Sequence, residues 1–160
     1  MRQVIPAFLW FSAIGCGLMA GVYFAFSTFV MTGFARISPA AAIAAMNSIN
    51  IVIVRSLFMP LFMATSLTAA VLAVFALVRW TEPAALPMLL GGLIYVVGMF
   101  AVTAVFNVPL NDGLAGMDPA TPAGLAAWKS YLRDWTLWNH VRTVASTLSA
   151  ILFTAAIAAR

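Results

Sequence analysis

Charged side chains are scarce in this sequence: its 160 residues include eight lysines and arginines and four aspartates and glutamates, which is 8% charged residues. A water-soluble domain carries about three times that fraction. The composition, 64% hydrophobic with a mean hydropathy of +1.06, therefore excludes such a domain. The net charge of +4 comes from basic residues scattered singly. Because they form no stripe that could follow a phosphate backbone, a nucleic-acid partner is not expected.

Cysteine and histidine are also nearly absent, with one residue of each, Cys16 and His140. A single cysteine cannot form an intramolecular disulfide, and Cys16 is expected to fill space within the first helix. One histidine, one cysteine and four carboxylates cannot assemble a di-iron or bis-histidine haem site in one chain. No metal or cofactor is expected, and a five-coordinate haem on His140 is left open.

Four long stretches contain no charged residue: 3–35, 56–78, 83–111 and 143–159. About 20 apolar residues suffice to cross the hydrocarbon core of a bilayer. The sequence therefore predicts a single all-α domain over residues 1–160, an integral membrane antiparallel four-helix bundle with spans at about 4–34, 52–79, 84–107 and 136–159. A bacterial inner membrane is the expected location of this multi-pass protein.

Small residues and prolines predict local features of these helices. Gly17 and Gly21 are four residues apart, which would place both against a neighbouring helix. Pro60 predicts a kink in the second span. Residues 107–113, which contain two asparagines, a proline and a glycine, predict the end of the third span and a loop over 113–127.

Aromatic residues recur before the fourth span at intervals of three, four and three: Trp128, Tyr131, Trp135 and Trp138. This spacing predicts one face of an amphipathic helix at the membrane interface. The helix is either separate from the fourth span or an extension of it. Tryptophans in such a position usually anchor a helix at the bilayer surface.

In a chain of four spans, the first and third connections lie on the same side of the membrane. Most polar side chains fall there: Arg36, Asn47, Asn50 and Arg55 in the first connection, and Asn107, Asn111, Asp112, Lys129, Tyr131, Arg133, Asp134, Asn139, His140 and Arg142 in the third. Taken singly, the arginines could extend to lipid headgroups and the asparagines could cap helices. Together, planar hydrogen-bonding groups beside aromatic rings predict a pocket for a flat, oxygenated, apolar molecule from the lipid.

The same part of the chain resembles a known family. Residues 107–111 (Asn-Val-Pro-Leu-Asn) and 135–142 (Trp-Thr-Leu-Trp-Asn-His-Val-Arg) resemble the DUF1772 family, whose small four-span membrane proteins include the fungal anthrone oxygenases of polyketide biosynthesis. The resemblance covers the whole chain, including Arg55 and Met59-Pro60. It implies oxidation of an activated aromatic CH2 to a ketone by molecular oxygen, without a metal or flavin.

The polar residues of this face are compatible with that chemistry. The expected catalytic residues are His140, Arg142, Arg55, Asn107 and Asn111. His140 is the expected general base for the CH2 proton, and the arginines and asparagine amides would stabilise the resulting oxyanion. The expected substrate-binding residues are Asn47, Asn50, Tyr131, Trp135, Trp138 and Asn139.

The expected partners are membrane lipid and a hydrophobic aromatic small molecule of anthrone or quinol type, and a homo-oligomer is left open. The alternative from another functional class is a non-enzymatic membrane subunit, or a module that binds lipid or another hydrophobic ligand through the same polar face. A carrier is the third alternative. It has the least support, because a single polar face without a charged path across the membrane gives little basis for alternating access.

Overall fold

The computed structural model describes residues 4–160, whose regular elements are all helices. Its five helices are α1 Val4–Phe34, α2 Pro39–Ile53, α3 Phe58–Val78, α4 Ala85–Ala115 and α5 Pro122–Ala158. All of them except α2 are long and apolar enough to cross a membrane. The predicted all-α fold with four spans is therefore confirmed, and the chain is a multi-pass membrane protein.

The four spans form an antiparallel bundle in which successive helices are neighbours and α5 closes the ring against α1. The helices α4 and α5 run in opposite directions, since Gly91 lies against Phe153 whereas Gly98 lies against Ala145. Short connections at 79–84 and 116–121 are consistent with this arrangement. The same two glycines allow α4 and α5 to approach closely.

Large apolar side chains cover the outside of the bundle. Ile14 is 59% exposed, Leu67 is 66% exposed and Ile151 is 59% exposed, each on a different helix. A continuous apolar surface of this kind is typical of a protein surrounded by lipid. Inside the bundle, Leu9 and Leu72 are fully buried in the main apolar core.

Gly92 marks a close approach between α3 and α4. A Cβ added there would lie 2.5 Å from the carbonyl oxygen of Ala69, which is backbone and cannot easily move. The role predicted for Gly17 and Gly21 is wrong. A Cβ on either residue would meet nothing within 4 Å, because both lie on the exposed face of α1.

The second span begins later than predicted, because residues 39–53 form the separate helix α2. Ser38 caps α2 by accepting a hydrogen bond from the backbone N–H of Ala41 at 3.3 Å. The chain breaks at 54–57, so that Pro60 falls in the first turn of α3. Since N–H groups of a first turn have no helical acceptor, this proline needs no kink, and the predicted kink is wrong.

The third span continues further than predicted. α4 runs through residues 107–113 to Ala115, and the loop that follows is confined to 116–121. Pro109 is tolerated because it is near the start of an α-helical segment that follows a π-helical turn. α5 begins at Pro122 and is capped by Thr121, whose hydroxyl accepts from the N–H of Gly124 at 3.1 Å. The aromatic face is therefore an extension of the fourth span.

Three π-helical turns lie toward one end of the bundle: Phe26–Val30 in α1, and Val96–Ala101 and Thr103–Asn107 in α4. Such turns shift the side chains that follow them around the helix and often occur at functional sites. α2 packs at this end against the last turns of α4 and against α5. The first and third connections therefore meet, as the topology predicted.

Candidate functional site

A chamber of about 390 Å³ lies inside the bundle at the end covered by α2. Its wall is mostly apolar and includes Phe26, Phe58, Phe62 and Phe100. The ring centroid of Phe62 lies 6.0 Å from that of Phe58 and 5.5 Å from that of Phe100, and the three rings are stacked. A cavity of this size and lining suits a small organic molecule.

A second cavity of about 450 Å³, which we term the vestibule, adjoins the chamber. It is lined by Asn47, Asn50, Ile51, Val54, Arg55, Asn111, Asp112 and Ala115. Four of these residues, Asn50, Val54, Asn111 and Asp112, also line the chamber. The apolar chamber therefore meets a more polar compartment at its outer end.

Arg142 brings a positive charge into the wall of the chamber. It is 5% exposed, and its Nη2 donates to Oδ1 of Asn139 at 2.8 Å while Nη1 donates to Oγ1 of Thr103 at 3.4 Å. The guanidinium carbon lies 4.4 Å from the ring centroid of Tyr23 and 5.0 Å from that of Trp135. These aromatic faces attract the cation and hold it in one place.

No carboxylate neutralises Arg142 within residues 4–160. The ion pairs in this part of the chain are Arg79–Glu82 and Arg133–Asp134, neither of which involves the chamber. Nε of Arg142 is buried and has no hydrogen-bond partner there either. Because a buried charge is costly when it is not compensated, this site favours the arrival of an anion.

Asn139 fixes the position of the guanidinium. Its Nδ2 donates to the carbonyl oxygen of Tyr23 at 2.8 Å and to Oγ of Ser27 at 2.7 Å. With both donor hydrogens directed at α1, Oδ1 is left to accept from Arg142. The asparagine thus joins α1 to α5 and orients the cation between them.

The aromatic face of α5 is buried at the same end of the bundle. Trp128, Tyr131 and Trp135 stack in series, with centroid separations of 5.6 and 6.1 Å. The hydroxyl of Tyr131 donates to Oδ1 of Asn111 at 2.8 Å, and Nδ2 of Asn107 donates to the carbonyl oxygen of Trp135 at 3.3 Å. The two asparagines therefore tie α4 to α5 beside the chamber.

Most of the predicted site residues come together at this end of the bundle. Arg142, Asn50, Asn111 and Trp135 line the chamber; Asn47 and Arg55 line only the vestibule; Asn107, Tyr131 and Asn139 lie behind the wall and support it.

His140 and Trp138 line neither cavity. Asn139 and Arg142 are three residues apart and face inwards, whereas His140 is turned by about 100° from Asn139 around the helix axis. Its side chain is therefore exposed on the outside of α5, which corrects the expectation that the imidazole faces the pocket. Trp138 stacks instead on Phe106, with ring centroids 3.6 Å apart.

Three polar residues of the chamber had no catalytic or substrate-binding role predicted from the sequence: Tyr23, Thr103 and Asp112. Tyr23 and Thr103 lie within long apolar runs, where a single hydroxyl gives no sequence signal. Asp112 directly follows Asn111, and it shares a helix face with Ala104 and Val108 at intervals of four residues.

The polar groups of the chamber are amides, hydroxyls, an indole, one guanidinium and one carboxylate. Within residues 4–160, no three His, Cys, Asp or Glu side chains lie close enough together to hold a metal ion. Chemically, the guanidinium and the N–H donors can stabilise an oxyanion, and the carboxylate can accept a proton.

Comparison with protein families identifies the family of this chain. The model of the anthrone oxygenase family matches residues 50–152, a stretch that contains Arg55, all of α4 and most of α5. The chain therefore belongs to the anthrone oxygenase family, as the resemblance of its two motifs predicted. Comparison with curated proteins and with solved structures gave no match.

Proposed function

We propose that this protein is a membrane-embedded, cofactor-independent oxygenase acting on a flat, apolar aromatic molecule of anthrone or quinol type. With an anthrone, it oxidises the activated CH2 of the central ring to a ketone using molecular oxygen. Membership of the anthrone oxygenase family supports the reaction class. The chamber supports the substrate class, because its phenylalanine walls offer apolar faces against which fused rings can stack.

The uncompensated guanidinium of Arg142 is the observation that carries the proposal. Loss of a CH2 proton from an anthrone leaves an anion whose charge resides largely on the carbonyl oxygen. A cation stabilises such developing charge best when it is held in place and shielded from water. Arg142 is buried, is hydrogen-bonded to Asn139 and Thr103, and carries no ion pair. Nε1 of Trp135, buried without a partner, is a second donor from a chamber-lining residue.

A substrate can reach the chamber from the membrane. Met63 on α3 and Ala104 and Val108 on α4 line the chamber and are exposed. An apolar substrate dissolved in the bilayer can therefore enter between these two helices, with membrane lipid as the surrounding partner. Apolar helical bundles are typical of the bacterial inner membrane, since spanning proteins of the outer membrane are β-barrels, and we propose the inner membrane as the location.

Oxygen consumption by the purified chain in lipid nanodiscs tests the function. With anthrone, the wild-type protein should consume oxygen faster than a protein-free blank, which measures spontaneous oxidation. Arg142→Gln should lower kcat by about 10²- to 10³-fold, the usual loss when a group that stabilises an oxyanion is removed. Arg133→Gln is the matched control, because Arg133 is exposed on the same helix and lines neither cavity.

Two outcomes would contradict the proposal in different ways. Equal kcat values for Arg142→Gln and the wild type would remove Arg142 from the reaction. Binding of anthrone, followed by tryptophan fluorescence, without oxygen consumption above the blank would support the alternative, a non-enzymatic subunit or a module that binds a hydrophobic ligand.

A further inference from the structure

Among residues 4–160, Asp112 is the only carboxylate that lines the chamber. It also lines the vestibule, and it therefore stands at the boundary between the apolar and the polar compartment. The ion pairs of the described residues do not include Asp112 or Arg55, the other charged residue of the vestibule. The Asp112 side chain is exposed and is held in no ion pair of the described residues.

Asp112 of α4 and Arg142 of α5 lie at positions that suit the two ends of one substrate. Arg142 is hydrogen-bonded to Thr103, and Asp112 lies nine residues further along the same helix, a rise of about 13 Å. Helical side chains lean toward the N-terminus of their helix, so the carboxylate extends back toward the chamber. Ala104 and Val108 share this face of α4 and form the wall between the two charges.

An anthrone carries its carbonyl and its CH2 at opposite positions of the central ring. A molecule whose carbonyl oxygen meets the guanidinium of Arg142 consequently directs its CH2 toward the vestibule end of the chamber. His140 cannot serve this carbon, because it is exposed on the outside of α5 and lines neither cavity.

On the basis of the proposed function, we propose that Asp112 is the general base of the reaction. Its carboxylate takes one proton from the CH2, and the electron pair of that C–H bond moves into the ring as the carbonyl oxygen becomes an anion beside Arg142. A C–O bond then forms between this carbon and dioxygen, and the distal oxygen receives a proton from the Asp112 carboxylic acid.

The second half of the reaction uses the same carboxylate. Asp112 removes the remaining proton of the carbon, the O–O bond breaks, and the new carbonyl forms as the distal oxygen leaves as hydroxide and takes up a proton to become water. The carbon is oxidised by four electrons and dioxygen is reduced by four, with one oxygen atom in the ketone and one in water. The vestibule, lined by Asn47, Asn50 and Arg55, gives protons and water a polar path to and from Asp112.

Asp112→Asn tests this assignment in the nanodisc assay with anthrone. General base catalysis contributes about 10²- to 10⁴-fold, so kcat should fall by at least 100-fold. KM should change by less than about threefold, since asparagine keeps the size of the side chain in the chamber wall. Anthrone deuterated at the CH2 should react more slowly than the protonated form by a larger factor in Asp112→Asn than in the wild type, because proton removal becomes the slow step.

Asp118→Asn provides the matched control, since Asp118 is an exposed carboxylate in the loop at the same end of the bundle and lines neither cavity. It should retain the wild-type kcat. An active wild type together with an equally active Asp112→Asn would overturn the assignment and leave the proposed function standing, and loss of kcat in His140→Ala alone would transfer the role to His140. A wild-type chain that consumes no oxygen with anthrone would overturn the proposed function itself.

Discussion

Nη2 of Arg142 lies 2.8 Å from Oδ1 of Asn139, one helical turn earlier on α5. The same asparagine is held by two groups of α1, the carbonyl oxygen of Tyr23 and the hydroxyl of Ser27. Because the Asn139 amide donates to α1 and accepts from Arg142, the guanidinium has little freedom to move. The position of the guanidinium in the chamber therefore depends on contacts between the first and the last span.

Replacing Asn139 by alanine should impair both the enzyme and the fold. The variant loses three hydrogen bonds of about 1 kcal/mol each and releases Arg142 from its position. We expect kcat for anthrone oxidation to fall at least 10-fold, with a smaller change in KM. Steady-state oxygen consumption and thermal unfolding would measure the two effects, and Thr147→Val, exposed on the same helix, is the control. An unchanged kcat would show that Asn139 does not position the arginine.

Filling the chamber from α4 should weaken substrate binding. Ala104 lines the chamber, whereas Val105 is 60% exposed on the lipid side. Ala104→Phe should raise KM for anthrone about tenfold or more, which corresponds to about 1.4 kcal/mol of binding free energy. Val105→Phe adds a similar ring beside it and should leave KM unchanged. Equal KM values for both variants would place the substrate elsewhere.

A methyl group at Gly92 should destabilise the bundle, whereas one at Gly17 should not. The Cβ of Gly92→Ala would lie 2.5 Å from the carbonyl oxygen of Ala69, while that of Gly17→Ala would meet nothing within 4 Å. Overpacking of this kind costs about 1–3 kcal/mol in the free energy of unfolding. Thermal unfolding of both variants in the same detergent would compare them. A similar midpoint for the two would contradict the close contact of α3 with α4.

Cys16 should report on the folding of the bundle. It is the only cysteine of the chain and is fully buried between the helices. A membrane-permeant maleimide should label very little of the folded protein in nanodiscs and nearly all of it after denaturation in sodium dodecyl sulfate. Mass spectrometry would measure the labelled fraction. Rapid labelling of the folded chain would place Cys16 on the outside of α1 and contradict its burial between the helices.

Some features of the site could be predicted from the sequence because they depend on composition and on short motifs. The near absence of charge defines the spans, and the alternation of spans brings the connections at Arg55 and Asn107 to one side of the membrane. Helical spacing then relates residues within one motif. The same eight residues led to the prediction that both Arg142 and His140 face a pocket. In the structure Arg142 lines the chamber, whereas His140 does not.

Other features required the contacts between helices. The π-helical turns at Phe26–Val30 and Thr103–Asn107 carry no sequence pattern, yet they set which faces of α1 and α4 meet α5. The helix α2 is too short and too weakly amphipathic to be distinguished, in the sequence, from the start of the second span. Its position nonetheless closes the chamber and creates the vestibule.

The four spans and the family can be recognised from the residues alone, because uncharged runs and paired motifs are local properties. The shared chamber of Arg142 and Asp112, and the position of His140 outside it, follow only from the packing of the helices. The direction of a side chain depends on the rotation of its helix, and this rotation is set by contacts with segments that are distant in the sequence.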